Sequence, residues 1–580
     1  MSSTGFSRKR VALIALAACG VVGLVACGGG SGSSDDPATA SLSLGGTAAT
    51  GLAIAARPVD AKCVGGMGSA TTNANGTYTV TVEGGASLPC VLRVTTADGG
   101  VLHSLATGSG STARANITPI SELILARLAG GDPAVFHDGF DGSAVQSLSD
   151  ESVQAAVDAI VQVLASAGID VSGIGDLLTA DLVAATEQGD QGNAFDKVLD
   201  KLGEVLESTG TTLAQLTETI AHASPMSTRV PNAAPSLPAE MLLKQAAANC
   251  SSFRSGTYRM LTPMEEVPAS RAITFDFDAA TMTATFSDEG TTTFVADGDC
   301  KYQWTDNGGI VKAVVSAAGV GVLSTDFGNT SPYRMVLFFP EQKVPLADLA
   351  GTWNTLEWER NDSVSPFAAL MSEFTVGTDG RFTHFKDCVG PDFTVCEEEV
   401  HATENGFVVN PAGGFGWVGE ELSDLSPRIF AYRSGGGELM LTMVDSTGTL
   451  VVGTKQRVLT MSPAGTVSSF WSAAVHPDGL TTDGGAVGIP PVAGDFRAAS
   501  WTITAIDTPA PGSFVRADAL GAEQTLTINA PRDGLMRRAA GPAGSPLVMM
   551  NLHGMGVTAS ARITADPAQG FFMLSVGKQP

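Results

Sequence analysis

The densest gathering of chemically competent side chains is HFKDCVGPDFTVCEEEVH, which carries His384, Asp387, Cys388, Asp392, Cys396, Glu397, Glu398, Glu399 and His401. Imidazole and carboxylate oxygen suit zinc, so His384 and His401 with one acid form a weak candidate metal site. The preferred reading is a hairpin closed by Cys388 and Cys396 with a solvated acidic rim. HDGFDG at 137–142 and DGDC at 297–300 also concentrate carboxylates, but neither has the D-x-[DN]-x-[DN]-G spacing of an EF-hand loop, and both read as turns. The chain has no G-x-S-x-G, no H-E-x-x-H, no Walker loop, and no G-x-G-x-x-G leading from a strand into a helix. No catalytic residue, metal or cofactor is therefore predicted.

Eight cysteines are present. Cys19 and Cys27 lie in an N-terminal segment where Arg8, Lys9 and Arg10 precede an uncharged apolar run at 11–26, the order of a secretory signal peptide. The run is shorter than the ~20 residues a membrane-spanning helix needs. Leu24-Val25-Ala26-Cys27 resembles the lipobox of bacterial lipoproteins. That resemblance implies cleavage before Cys27, lipidation of Cys27, and a mature protein held in the cell envelope by its acyl chains. Leu16-Ala17-Ala18-Cys19 fits the same pattern, but cleavage there would leave VVGLVA stranded on the mature chain. GGGSGSSDD after Cys27 is a flexible tether. Gly28 stands where an aspartate often retains lipoproteins at the inner membrane, which points to outer-membrane delivery, with the leaflet open.

The remaining cysteines fall as neighbours: Cys63 and Cys90, Cys250 and Cys300, Cys388 and Cys396. Six cysteines allow fifteen connectivities. Sequential pairing within domains is the economical one for an oxidising compartment. With 59 acidic against 33 basic residues and a formal net charge of −26, nucleic acid and anionic membrane surfaces are excluded as partners. The membrane contact expected is the lipid anchor alone, and the other partner expected is an unidentified protein or envelope component.

The elements that must position these residues change character along the chain. Alternation in TYTVTV and GLAIAARP marks short half-buried strands between about 46 and 112. TTNANGTYTVTV resembles the turn and core strand of the carboxypeptidase regulatory-like, or transthyretin-like, β-sandwich, with Asn73 where aspartate is common. The resemblance implies a non-catalytic module.

Thr118-Pro119 then opens a helix that closes at Gly130. The stripes Val153/Val157/Ile160/Val161/Leu164 and Phe195/Val198/Leu199/Leu202/Val205/Leu206 predict two more helices, and Leu213/Leu216/Ile220 a fourth. A β-module followed by ITPISELILARL is similar to a group of uncharacterised envelope lipoproteins. From Cys250 onward, turn signals between short alternating runs predict strands to the end of the chain. FRSGTYRML, LAGTWNTLEW and AGDFRAASWTI look weakly alike and suggest repeated β-meanders, open or closed as barrels. LAGTWN also resembles the G-x-W opening of lipocalins.

The expected architecture is mainly β with a helical insert: signal peptide 1–26, tether 27–45, sandwich 46–112, helical bundle 113–223, Pro-rich linker 224–246, and β-rich segments 247–345, 346–485 and 486–580. The leading functional expectation is a lipid-anchored, non-enzymatic interaction or structural module, with recognition placed in the C-terminal half because all six tryptophans lie there. A carrier holding an apolar ligand in a C-terminal barrel is the alternative, and a hydrolase with an unrecognised site comes last. A filled barrel interior would favour the first, a deep cavity the second.

Overall fold

The computed structural model describes residues 41–579 apart from 142–144, 146–147, 223–233, 263–271, 288–289, 307–308, 327–333, 360–367, 390–394, 399–401, 420–425, 476–495, 540–545 and 563–569. The chain is mainly β, with a small sandwich, a helical bundle and a large antiparallel region that includes a closed barrel.

In the sandwich, Leu42–Thr47 lies between Thr77–Val82 and Thr112–Arg114, the last pairing parallel. A second sheet runs Gly66–Thr71, Pro58–Val64, Ser87–Thr95, Val101–Ala106. Alternation does what the sequence predicts: Tyr78, Val80 and Val82 point inward with Leu42, Leu44, Val59, Leu92 and Val94. Asn73 orders the turn before Tyr78 by accepting from the amides of Asn75 (3.2 Å) and Thr77 (3.0 Å), the role an aspartate would play.

Helix α1 (Pro119–Ala129) starts on a capping box between Thr118 and Ser121 and stops at Gly130 in the left-handed region (φ 61°). Its Ile120, Leu123, Ile124 and Leu125 are all fully buried, because α1 packs on the strand Val101–Ala106 as well as on two helices, Asp150–Ser166 and Leu213–His222. Sandwich and bundle therefore share one core that includes Val91 and Leu105. Glu122 seals the junction, accepting from the backbone amide of His103 and pairing with its Nδ1 at 2.9 Å.

The segment expected as a linker is packed where it is described. Leu237, Ala239 and Met241 are buried, and Gly435 donates to the carbonyl of Ser236. The proline spacing gives no hint of this, since apolar residues between prolines become core only through contacts far away in sequence.

Three cyclic meanders follow, in each of which the first strand pairs with the last and consecutive strands pair with one another, save at one break in each of the first two. In the first, Gly256–Leu261 pairs with Ala272–Asp278 and with Arg334–Pro340, and the hydrogen-bonded ring is interrupted between Gly290–Thr293 and Val295–Ala296. In the second, Gly351–Glu359 pairs with Ala368–Val376 and with Leu450–Lys455. Its break falls after Val395–Glu398 and is spanned by an isolated bridge between Arg381 and Gly406. The third is a closed eight-stranded barrel in which Val467–Val475 pairs with Arg497–Ile506 and with Phe571–Gly577.

The first two opening strands share a signature, Gly256-Thr257-Tyr258 and Gly351-Thr352-Trp353, with the glycines at φ 149° and 129°, and a Gly465-Thr466 pair, with Gly465 at φ 90°, stands just ahead of the third. This corrects the third repeat predicted from sequence. AGDFRAASWTI falls on the second strand of the third barrel, and that barrel begins ahead of the expected boundary at 486. The glycine- and proline-rich run at 476–495, which reads as a domain boundary, lies between two paired strands of one barrel.

Strand alternation gives each meander an inside and an outside. Trp353 faces inward while Leu356 and Trp358 face out. The outer faces of all three meet in one core that joins Leu337 and Phe339 of the first, Trp358 and Tyr432 of the second, and Val548, Met550 and Leu574 of the third. Tyr432 also donates its hydroxyl to the carbonyl of Ala318, and Asn354 donates to the carbonyl of Asp533.

Candidate functional site

The three interiors differ. The first is filled by aromatic rings: Phe253 stacks on Phe277 with centroids 3.7 Å apart, Tyr258 on Phe275 at 5.2 Å, and Phe294 on Trp304 at 4.2 Å. The second is filled by Trp353, Phe374, Phe382, Phe407 and Phe415. Trp353 donates Nε1 to the carbonyl of Leu349 at 2.7 Å, and Lys455 lies 5.6 Å from its ring centroid while donating to the carbonyls of Asp348 and Ala350.

The third barrel holds a cavity of about 1000 Å³ that is partly open to solvent and is also lined by Arg457, Leu459 and Met461 ahead of the first barrel strand. Tyr258 and Trp353 pair with the last residue of their closing strands, Pro340 and Lys455; the residue so placed in the third barrel is Phe470, opposite Gly577, and it lines the cavity. Phe514, Leu526, Leu547, Met549 and Phe571 form an apolar cluster inside this barrel. Polar side chains from neighbouring strands line the rest, among them Ser472, Trp501, Arg516, Gln524, Arg538, Asn551, His553 and Ser575.

Alternation explains how cations reach an interior. Phe514 and Arg516 are two apart on Ser513–Asp518, as are Met536 and Arg538 on Leu535–Arg538, so each arginine shares the inward face of an apolar neighbour. The Arg516 guanidinium lies 4.4 Å from the ring centroid of Trp501, and its Nη2 reaches Gln524 Oε1 at 3.2 Å and Met549 Sδ at 3.7 Å. Burial, then the charge of Arg538, pushes Arg516 down to about 10. Arg538 is lowered by burial and by Arg562. Burial followed by Arg457 drives His553 down to about 3, so its imidazole is neutral. Among the described residues Arg516 has no ion-pair partner, and Arg516 Nε and His553 Nε2 are buried without hydrogen-bond partners.

The residues singled out in the sequence lie elsewhere. Three disulfides join Cys63 to Cys90, Cys250 to Cys300 and Cys388 to Cys396, each within one of the β-rich segments. His384 contacts carboxylates at both ring nitrogens, Glu373 at 3.2 Å and Glu398 at 2.9 Å, on the outside of the second meander. Glu373 also pairs with Arg532, reaching across from the third barrel at 3.1 Å, so this cluster helps hold two barrels together. His401, Asp392 and Glu399 lie outside the described residues, as do Cys27 and the signal segment. Asp138 of HDGFDG ends a short helix and pairs with Arg93 at 3.1 Å, and Asp297 of DGDC pairs with Lys301 at 2.9 Å.

Trp353 and Trp358 are buried, and Trp304, Trp417, Trp471 and Trp501 are half-buried. Trp501 alone among them lines the cavity. The sequence signal that could have found the site is an arginine on the apolar face of an alternating strand, in SFVRAD and LMRR.

No protein-family model matches the chain, and no curated protein does. Among solved structures, a protein of unknown function from the DUF3598 family of Nostoc punctiforme is 12% identical, with 41% of this chain and 100% of that chain covered, at a TM-score of 0.15. A variant of the vaccine antigen transferrin binding protein B from Haemophilus parasuis is 8% identical, with 60% of this chain and 78% of that chain covered, at a TM-score of 0.16. A second variant of that antigen gives 10% identity over the same 60% and 78%, at 0.15. Scores of this size assign neither fold nor function.

Proposed function

We propose that the chain is a non-enzymatic binding protein of the bacterial envelope, tethered through a lipidated Cys27, in which the third barrel holds a small ligand and the first two barrels are its scaffold. The observation that carries this reading is the contrast between interiors. Two closely related meanders are plugged by aromatic rings, whereas the third holds a partly open cavity of about 1000 Å³, at the upper end of the range typical of small-molecule sites. A void of that size is costly to keep in a barrel whose only task is to pack, because lining atoms lose their contacts. The shared outer core of the three meanders supplies rigidity, so that the third need not be stabilised by filling its own interior.

The test is a titration of the purified ectodomain with Nile red, a neutral apolar dye. One dye should bind per chain with a blue shift, and Ser575→Phe, which places a ring in the cavity beside Ser472, should abolish the shift without lowering the thermal midpoint of the rest of the chain. Binding that is absent, or unaffected by Ser575→Phe, would overturn the proposal.

A further inference from the structure

We infer that the ligand of the third barrel is an anionic amphiphile, with one carboxylate-type acid group received by Arg516 and an apolar chain or ring lying along Phe514, Leu547 and Met549. This rests on the reading of that barrel as a ligand holder. The chain as a whole is acidic, 59 acidic residues against 33 basic, yet its one hollow barrel inverts the sign. Arg457, Arg497, Arg516, Arg538 and Lys578 line the cavity against Asp518 and Glu523.

Several of these charges are answered from within the protein. Arg457 pairs with Glu438 at 2.9 Å, Lys578 lies 4.0 Å from the ring centroid of Trp471, and Asp518 accepts from the amides of Leu520 and Ala522 at 2.9 and 2.8 Å. Arg516 is not answered. It sits between an indole face, an amide oxygen and a thioether, with Nε buried and unbonded and a second cation, Arg538, close enough to perturb it. His553 adds a second buried, unbonded nitrogen on the same cavity wall.

Removing a guanidinium from water without a counter-charge costs several kcal/mol, and a methionine or leucine of similar length would fill the position without that cost. An acid brought in by the ligand meets the missing partner, with the fork geometry that favours arginine for carboxylates. A neutral ligand leaves Arg516 unanswered, and a cationic one meets repulsion from Arg516 and Arg538. The apolar cluster next to the arginine requires the rest of the ligand to be apolar.

The test is isothermal titration of the full ectodomain with octanoate, 1-octanol and octyltrimethylammonium, three probes that share a chain and differ in the head group. Octanoate should bind about tenfold or more tighter than 1-octanol, the scale of one charge-assisted hydrogen-bonded pair, and the ammonium probe should bind weakest. Arg516→Met should bring octanoate down to the level of 1-octanol, and Arg516→Lys should keep part of the preference. Equal binding of octanoate and 1-octanol by the parent protein, or an octanoate affinity indifferent to Arg516→Met, would overturn the anion assignment while leaving a ligand-holding barrel. Binding of none of the three would overturn the barrel reading itself.

Discussion

Replacing Arg516 with methionine should make the empty third barrel more stable, even though it removes the feature that recognises the acid. Burial and Arg538 depress the guanidinium from its ordinary value to about 10, and each unit is worth about 1.36 kcal/mol, so the charged form costs roughly 3 kcal/mol in the ligand-free barrel. The folded value of this base lies below the unfolded one. The cost is therefore fully present at neutral pH and relieved only as pH rises through 10 towards the ordinary guanidinium range. Methionine removes that cost but forfeits the stacking on Trp501 and the hydrogen bond to Gln524, together about 1 to 2 kcal/mol. The net gain is about 1 to 2 kcal/mol.

Because the chain holds several bodies, a global midpoint would blur this gain, and hydrogen exchange is the suitable assay. In the parent, amides of Glu523–Ile528 and Leu535–Arg538 report opening of this barrel. In Arg516→Met their protection should rise by about five- to thirtyfold at pH 7, with strands of the first meander unchanged. Reduced protection in the variant would mean that Arg516 stabilises the empty barrel, and the argument for a missing counter-ion would fail.

A second carboxylate site makes a pH prediction. Burial, then Asp387, pushes Glu357 up to about 7, with Ser372 Oγ 2.6 Å from both acids. The folded value of this acid lies above the unfolded one, so its contribution is present below the ordinary carboxylate range and lost as pH rises through 7. Glu357→Gln should match the parent in urea unfolding of the second meander near pH 4.5 and exceed it at pH 8 by up to about 3 kcal/mol; a variant less stable at pH 8 would contradict this. The disulfides should rank by loop length: removing Cys250–Cys300, with a separation of 50, should cost about 4 kcal/mol, and removing Cys388–Cys396, with a separation of 8, about 2.5 kcal/mol, and the reverse order in denaturant unfolding would contradict the loop account. For the tether, Cys27→Ser should abolish incorporation of labelled palmitate and Cys19→Ser should not; the opposite pattern would move the cleavage site, and label in both variants would end the lipoprotein reading.

The sandwich and the helices were readable because their signals are local. TYTVTV declares its own buried face, and Thr118-Pro119 with Gly130 mark both ends of a helix within a dozen residues. Barrel closure depends on pairing across long separations, such as Gly256–Leu261 with Arg334–Pro340, and no local pattern states it. The repeat was half visible. Tyr258 and Trp353 follow Gly-Thr directly, whereas Phe470, which holds the matching place opposite the end of the closing strand, stands four residues after Thr466.

His384 and the acids after Cys396 attracted notice by density along the chain, whereas Arg516, Arg538, Trp501 and His553 are dispersed over more than fifty positions and converge only on closure. An arginine in an alternating strand ordinarily faces water, and sharing a face with Phe514 is the one local sign that Arg516 does not.

The account turns on which barrel is occupied, and photoaffinity mapping measures that directly. The full ectodomain is irradiated with a diazirine-bearing octanoate at increasing ratios, and the labelled peptides are identified by mass spectrometry. The account predicts saturable labelling confined to 467–577, concentrated on the strands that carry Trp501, Phe514 and Met549, and displaced by octanoate. Saturable labelling within the first or second meander, or labelling on outer surfaces that octanoate does not displace, would contradict it.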